Sequence, residues 1–394
     1  MPEHAAPALR RREYLPFSPP NLGEEEIREV VDTLRSPWIT TGPKTKRFEG
    51  AFAGALGAPA AAAVSSCTAA LHTALACLDV GPGDEVITTP LTFAATVNVI
   101  EHVGARPVLV DVSPDTLNID PDAVAAAISP RTRAIIPVHY AGHPVDLDAL
   151  HALAGPREIA LLEDAAHALP ARYRGRLIGA GSNPVAFSFY ATKNLTTAEG
   201  GMLTGDPALV ERARVIALHG MSHDAWRRYE RGGSWRYDIV FPGFKYNMTD
   251  IQASLGLHQL TKLAAFHERR AAVAAAYTAA FAPDAALEVP SVRDDVDPAW
   301  HLYVLRLQPA ALDIDRDAFI QELTARNIGT SVHFIPVHVH PYYQRRYGLR
   351  PDALPVAWEN FQRMLSLPIH PGLSDGDVGD VIEAVLDVVH QHRR

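Results

Sequence analysis

Lys193 is the residue on which chemistry could turn. It follows residues 185–189, Val-Ala-Phe-Ser-Phe, a short aromatic and apolar stretch that reads as a buried strand with one hydroxyl, Ser188. Beyond it runs a loop of small and polar residues ending in Gly200-Gly201. The chain uses lysine sparingly: Lys44, Lys46, Lys193, Lys245 and Lys262 are the five among 36 basic residues. Arginine keeps its proton at neutral pH, whereas a desolvated lysine can lose it and attack a carbonyl carbon. A surface lysine opening a loop is the plain alternative, and the strand context leaves both open.

Four other stretches carry functional groups at element junctions. In Val64-Ser-Ser-Cys-Thr-Ala-Ala-Leu71 a strand gives way to a helix. The amides of Thr68 and Ala69, the Thr68 hydroxyl and the helix dipole favour a phosphate there, and a plain helix cap uses the same residues. No Gly-x-Gly-x-x-Gly and no Walker sequence occurs, which counts against dinucleotides and nucleoside triphosphates. In Pro90-Leu-Thr-Phe-Ala-Ala-Thr96, Phe93 either presents its face to a flat ring or fills the core. Residues 159–167 deliver Glu163-Asp164 to a strand end, with His167 three residues on. A carboxylate in that place is costly unless paired. An aromatic nitrogen cation would satisfy it, and so would the cap of the following turn. Asn247, just ahead of the helix beginning near Asp250, is an anion contact or a turn residue. His139, His143, His333, His338 and His340 lack a metal-ligand spacing, so no metal is expected.

Positioning these groups requires a sheet. From about residue 60 to 204, apolar strand candidates at 61–64, 85–88, 107–110, 134–138, 159–163, 185–189 and 202–204 alternate with helical stretches at 67–78, 94–103, 122–128 and 147–153. The alternation predicts a mainly parallel sheet covered by helices, with ligands beyond the carboxyl ends of its strands. Residues 23–34 read as an amphipathic helix with acids in its first turn, and 36–43 as an irregular stretch bearing Trp38. Residues 250–281 read as one long helix or two abutting ones. They lead to a C-terminal part with a strand at 301–307 and helices near 315–327 and 375–390. The expected division is 1–270, an N-terminal arm with a large domain, and 271–394, a smaller domain.

With 394 residues, 47% hydrophobic and 21% charged, the chain has an ordinary globular composition and ample core. A net charge of −9 argues against nucleic acid or an anionic membrane as partner. Cys67 and Cys77 share one expected helix and form no disulfide or zinc framework, which fits a reducing cytoplasm. Residues 1–20 have no apolar signal core, and no run reaches the length of a membrane span.

A phosphate site, a stacking face, a carboxylate for a ring nitrogen and a free amine are together what pyridoxal phosphate requires. Over nearly its whole length the sequence resembles the DegT/StrS group of sugar aminotransferases. The resemblance rests on Trp38-Ile-Thr-Thr-Gly-Pro43, Thr68-Ala-Ala-Leu71, Thr92-Phe93, Pro137-Val-His139, Glu163-Asp-Ala-Ala-His167, Phe187-Ser-Phe189, Thr192-Lys-Asn194, Glu199-Gly-Gly201, Lys245-Tyr-Asn247 and Ser331-Val-His333. It implies an α/β fold, the fold-type-I pyridoxal-phosphate transferase, with a mainly parallel central sheet and a smaller α+β C-terminal domain.

The resemblance further implies roles. Lys193 would carry the cofactor covalently, and Asp164 would grip its ring nitrogen. His167 would lie near the phenolic oxygen, where many members have glutamine, and Phe93 would stack on the ring. Thr68, Ala69 and Ser188 would hold the phosphate, joined by Asn247 from the partner subunit, so the active site would form at a homodimer interface. His333, with Trp38 and Thr41, is similar to positions lining the sugar-nucleotide side. Histidine at 167 resembles the branch that makes 4-amino-4-deoxy-arabinose nucleotides, and related sugar dehydratases carry histidine where Lys193 stands. The implied reaction is a ping-pong transamination from glutamate to a keto-sugar nucleotide, a 4-keto sugar on UDP or dTDP. A keto-cyclitol or 3-keto sugar is the alternative acceptor, and a non-catalytic cofactor-binding regulator the alternative class.

Overall fold

The computed structural model describes residues 11–222 and 237–394. Of the N-terminal arm, residues 1–10 lie outside these. The first strands in order are β1 (Ala60–Val64), β2 (Glu85–Thr88), β3 (Arg106–Leu109), β4 (Thr132–Ile136), β5 (Ala160–Leu161) and β6 (Glu163–Asp164). The hairpin β7 (Arg172–Tyr173) and β8 (Arg176–Leu177) follows, then β9 (Val185–Ser188) and β10 (Gly201–Gly205). Two four-stranded runs, β3-β2-β4-β5 and β6-β9-β10-β1, meet where Val138 bridges Asp164 in parallel. Pairs β2–β3, β2–β4, β4–β5 and β6–β9 are parallel. Every residue of β2 is buried, as strands covered by crossover helices must be. The strand expected at 159–163 is split around Leu162, whose amide donates to Ile135 O at 3.0 Å.

β10 departs from the parallel rule, being antiparallel to both β9 and β1. An antiparallel return needs no crossover helix. Residues 189–200 therefore form a loop at the carboxyl end of β9, pinned by Phe189 N to Gly200 O and Thr197 N to Phe189 O, both 2.9 Å. That loop holds Lys193.

Helices Cys67–Cys77, Ala95–His102, Pro121–Ala127 and Leu147–Ala154 occupy the expected stretches. Two more, Pro43–Leu56 and Pro207–Ala217, each open on proline in the first turn, where the missing amide costs nothing. The long helix Asp250–Phe281 is continuous and begins in a capping box between Thr249 and Gln252. A Cβ on Gly256 would sit 2.5 Å from the Phe48 ring, so glycine lets helix Pro43–Leu56 pack closely on it. Further along, Val273, Ala274, Tyr277 and Phe281 enter a second core with Tyr303, Phe319, Leu365 and Val385. Residue 270, the expected division, lies within this helix between the two cores.

The C-terminal sheet has the order β11 (Leu287–Glu288), β13 (Tyr303–Leu307), β14 (Met364–Leu367), all antiparallel. Between them in sequence, β12 (Val296–Asp297) pairs back with β7. The strand expected from 301 begins at Tyr303, and helices Arg316–Ala325 and Asp375–Gln391 lie where expected. The arm joins this part through a parallel bridge between Leu15 and Ile328. Among the described residues no helix is long and apolar enough to cross a membrane.

Candidate active site

β6 and β9 lie side by side, Asp164 opposite Ala186, and both deliver their last side chains to one edge. Asp164 is buried. Thr96 donates its hydroxyl to Oδ2 at 2.7 Å, and the Ala166 amide donates to Oδ1 at 3.1 Å. Burial nevertheless pushes the carboxyl above its ordinary value, against the lowering pull of Thr96, Ala166 and Lys193. Lys193 is half-buried. Burial brings its amine down to about 8, while Cys67 and Asp164 pull the other way. The two groups act on each other electrostatically, each drawing the other toward its charged form against the burial of both.

At the next strand end, Ser66 caps helix Cys67–Cys77, its hydroxyl accepting the Ala69 amide at 3.0 Å. The Ala69 amide, expected to be free for a phosphate, is thus engaged within the chain. Thr68 is half-buried in the same first turn. Gly201 pairs with Ser188 across the β9–β10 ladder. A Cβ on Gly201 would lie 2.4 Å from the Ser66 carbonyl carbon and 2.6 Å from the Cys67 nitrogen. Only glycine lets the helix N-terminus pack this closely on β10, next to the strand position of Ser188.

A wall of rings stands on the other side of Lys193. His167 is buried, 4.3 Å from His301 and 5.7 Å from Phe334 between ring centres. Phe93 is 65% exposed and 6.2 Å from Phe334, so it does not fill the core. His333 pairs through Nδ1 with Ser366 Oγ at 2.9 Å and stacks on Phe17, and burial brings it down to about 4. Lys193 Nζ lies 3.5 Å from His301 Nε2, the long end of a hydrogen bond. His301 escaped the sequence reading because it sits just before a strand, with no motif to mark it. Its approach to Lys193 depends on contacts remote in sequence.

Trp38, Thr41 and Asn247 form a separate group. Trp38 Nε1 donates to Thr41 O at 2.7 Å, and Asn247 Nδ2 donates to Thr41 Oγ1 at 2.6 Å. The Asn247 backbone bridges Val64, and the Ser65 amide donates to Tyr246 O at 2.6 Å, so the group abuts the helix N-terminus. His139 has a structural use: Nδ1 accepts the Val145 amide, leaving Nε2 to donate to Glu163 Oε2 at 3.1 Å.

Pyridoxal phosphate fits this donor set. The oxygens of Asp164 have only neutral hydrogen-bond donors, Thr96, Ala166 and the weak Cys67 thiol, and retain lone pairs for a protonated ring nitrogen. His167 Nδ1 is buried on the same wall without a hydrogen-bond partner among the described residues, a group a bound oxygen would satisfy. The amine, the acid and the glycine-cleared helix N-terminus together define a fold-type-I pyridoxal-phosphate enzyme.

The chain belongs to the DegT/DnrJ/EryC1/StrS aminotransferase family, whose profile matches residues 20–386. It is 51% identical over 382 residues to the spore coat polysaccharide biosynthesis protein SpsC of Bacillus subtilis, covering 96% of this chain and 98% of that protein. It matches Spr1654 of Streptococcus pneumoniae in its PLP form with a TM-score of 0.89 and 38% identity, covering 96% of this chain and 99% of the other. DesV of S. venezuelae in complex with a ketimine intermediate matches with a TM-score of 0.85 and 38% identity, over 93% and 94% of the two chains. The protein is a PLP-dependent sugar aminotransferase.

Proposed function

We propose that the enzyme aminates a keto-sugar nucleotide, a 4-keto sugar carried on UDP or dTDP, with glutamate as amino donor, in two half-reactions. One observation carries the transamination: a half-buried amine brought to about 8 in the site where the buried Asp164, held by Thr96 and Ala166, keeps lone pairs free; donor and acceptor follow from the family. Similarity to SpsC, named for polysaccharide biosynthesis, supports a sugar over a cyclitol as acceptor.

Bound pyridoxal phosphate supplies an aldehyde to carry nitrogen and a ring that takes up electrons when a bond at the amino carbon breaks. The chain's residues do the rest. Asp164, oriented by Thr96 and Ala166, keeps the ring nitrogen protonated. Lys193 has the basicity to take the proton from the donor's α-carbon and return it to the carbon on the other side of the nitrogen, as general base and then acid. Thr68 and Ser188 would hold the phosphate at the helix N-terminus, joined by the Ala69 amide once it leaves Ser66, while Phe93 would cover the ring and His167 would lie near its phenolic oxygen. His333, Trp38 and Thr41 line the acceptor side. Asn247 of the partner subunit completes the phosphate site, making the active unit a homodimer, and the enzyme works in the cytoplasm. Residues 1–270 form its cofactor-holding domain and 271–394 its small domain.

A donor and acceptor screen tests this reading, following the cofactor's absorbance between aldehyde and amine forms. Glutamate alone is expected to convert the bound cofactor, and a 4-keto sugar nucleotide to restore it. Restoration by a keto-cyclitol or 3-keto sugar alone replaces the acceptor. No conversion by any amino acid points to a regulator.

A further inference from the structure

We infer that His301 is a positioning residue for Lys193, fixed by Asn194 as the Nδ1–H tautomer so that the Nε2 lone pair accepts a hydrogen bond from the lysine amine. The assignment follows from a chain of donors. Asn194 Nδ2 donates to two backbone carbonyls, Leu169 O and Ala299 O, both at 2.8 Å. Carbonyls only accept, so the amide's orientation is set and Oδ1 must face His301 Nδ1, 3.1 Å away. An oxygen there requires a hydrogen on Nδ1. Nε2 is left as the acceptor, with Lys193 Nζ at 3.5 Å.

With Nδ1 carrying the hydrogen and Nε2 accepting, the ring is uncharged, and its place is built. Burial, with His167, Lys193, Arg270 and His333 around it, holds His301 well below the ordinary histidine range. Besides His301, the charged or titratable groups that interact with Lys193 are Cys67, Asp164, His167 and His333. Ala299 N donates to Gly142 O at 2.9 Å and Leu302 N to Ala141 O at 3.2 Å, fastening the segment on both sides of His301. Gly142, at φ +93, is required: a Cβ there would lie 2.8 Å from His167 O and 3.2 Å from His301 N. Arg270 Nη1 donates to Trp300 O, His301 O and Ile369 O from behind. A neutral acceptor in this position steers the amine and favours its charged form.

The test reads the full-length chain freed of cofactor. Lys193 is trace-labelled with acetic anhydride across a pH series, and its peptide is quantified by mass spectrometry. His301→Leu and His301→Asn, which lack an acceptor at the Nε2 position, are expected to lower the labelling midpoint by about half a pH unit, roughly threefold in acidity. His301→Gln, which restores an oxygen there, should stay near the parent chain. An upward shift on removing the imidazole would mean that His301 is a repelling cation, and an unmoved midpoint that it is only core; either overturns the inference. Nitrogen-15 spectra of histidine-labelled protein give a check that needs no stable variant. An unprotonated Nε2 on His301 is expected, and a protonated one contradicts the assignment. The inference rests on Lys193 as the reactive amine, yet the labelling needs no cofactor, so its failure is distinguishable from failure of the proposed function.

Discussion

Thr96 donates its hydroxyl to Asp164 Oδ2 at 2.7 Å and touches the Thr92 hydroxyl at the same distance, so Thr92 must donate to Thr96. The relay holds one carboxylate oxygen and leaves the acid's charge to be balanced by whatever binds. Thr96→Val keeps the shape and deletes the donor. A hydrogen bond to a charged group contributes about 1.5–3 kcal/mol, so cofactor affinity is expected to fall roughly tenfold or more. A fluorescence titration measures it, and an unchanged dissociation constant removes Thr96 from the site.

Lys193 predicts a pH signature in the cofactor-free protein. Its amine lies at about 8 in the fold against 10.5 ordinarily. Between those values the unfolded chain binds more protons, so stability rises with pH from about 8 to 10.5, and the full penalty is present below 8. Lys193→Met removes the penalty. The variant is expected to exceed the parent at pH 7 by at most about 3 kcal/mol, with the gap closing as the pH rises. Thermal melts across that range decide it; a gap independent of pH contradicts the burial cost.

Gly201 predicts a steric lesion at the phosphate end. In Gly201→Ala the new methyl meets Ser66 and Cys67 backbone atoms at 2.4 and 2.6 Å, and backbone cannot swing aside. The helix N-terminus must move off β10. Cofactor affinity is expected to fall at least about tenfold, since phosphate binding there depends on amides aimed at one point. Equilibrium dialysis against pyridoxal phosphate checks this.

Phe93 separates binding from folding. At 65% exposure it contributes little to the core, so Phe93→Ala should change stability by less than about 0.5 kcal/mol. If it stacks on the ring, cofactor affinity drops by up to about tenfold, the worth of an aromatic pair. Equal losses in melting and binding would make it a structural residue.

The sheet was legible because its strands are apolar and separated by helices of ordinary length. The apolar runs marked the ends of β6 and β9, and with them the strand end that carries Asp164 and the loop that carries Lys193. Helices Pro43–Leu56 and Pro207–Ala217 were not legible although Phe48, Phe52 and Leu56 in one, and Val210, Ala213 and Ala217 in the other, form a buried face, because small and charged residues between them dilute the pattern. Helix Cys67–Cys77 was found by its junction, not by its periodicity, since nine of its residues are buried all round. His301, Thr96 and Phe334 matter through contacts that cross long stretches of sequence, such as the seat that Gly142 clears for the segment before β13. Local pattern carries no trace of such approaches.

Borohydride reduction of the yellow holoenzyme, followed by peptide mapping, asks most directly which amine holds the cofactor. The account predicts a single cofactor-bearing peptide containing Lys193, and none from protein carrying Lys193→Ala. A label on Lys44, Lys46, Lys245 or Lys262, or no covalent label at all, would contradict it.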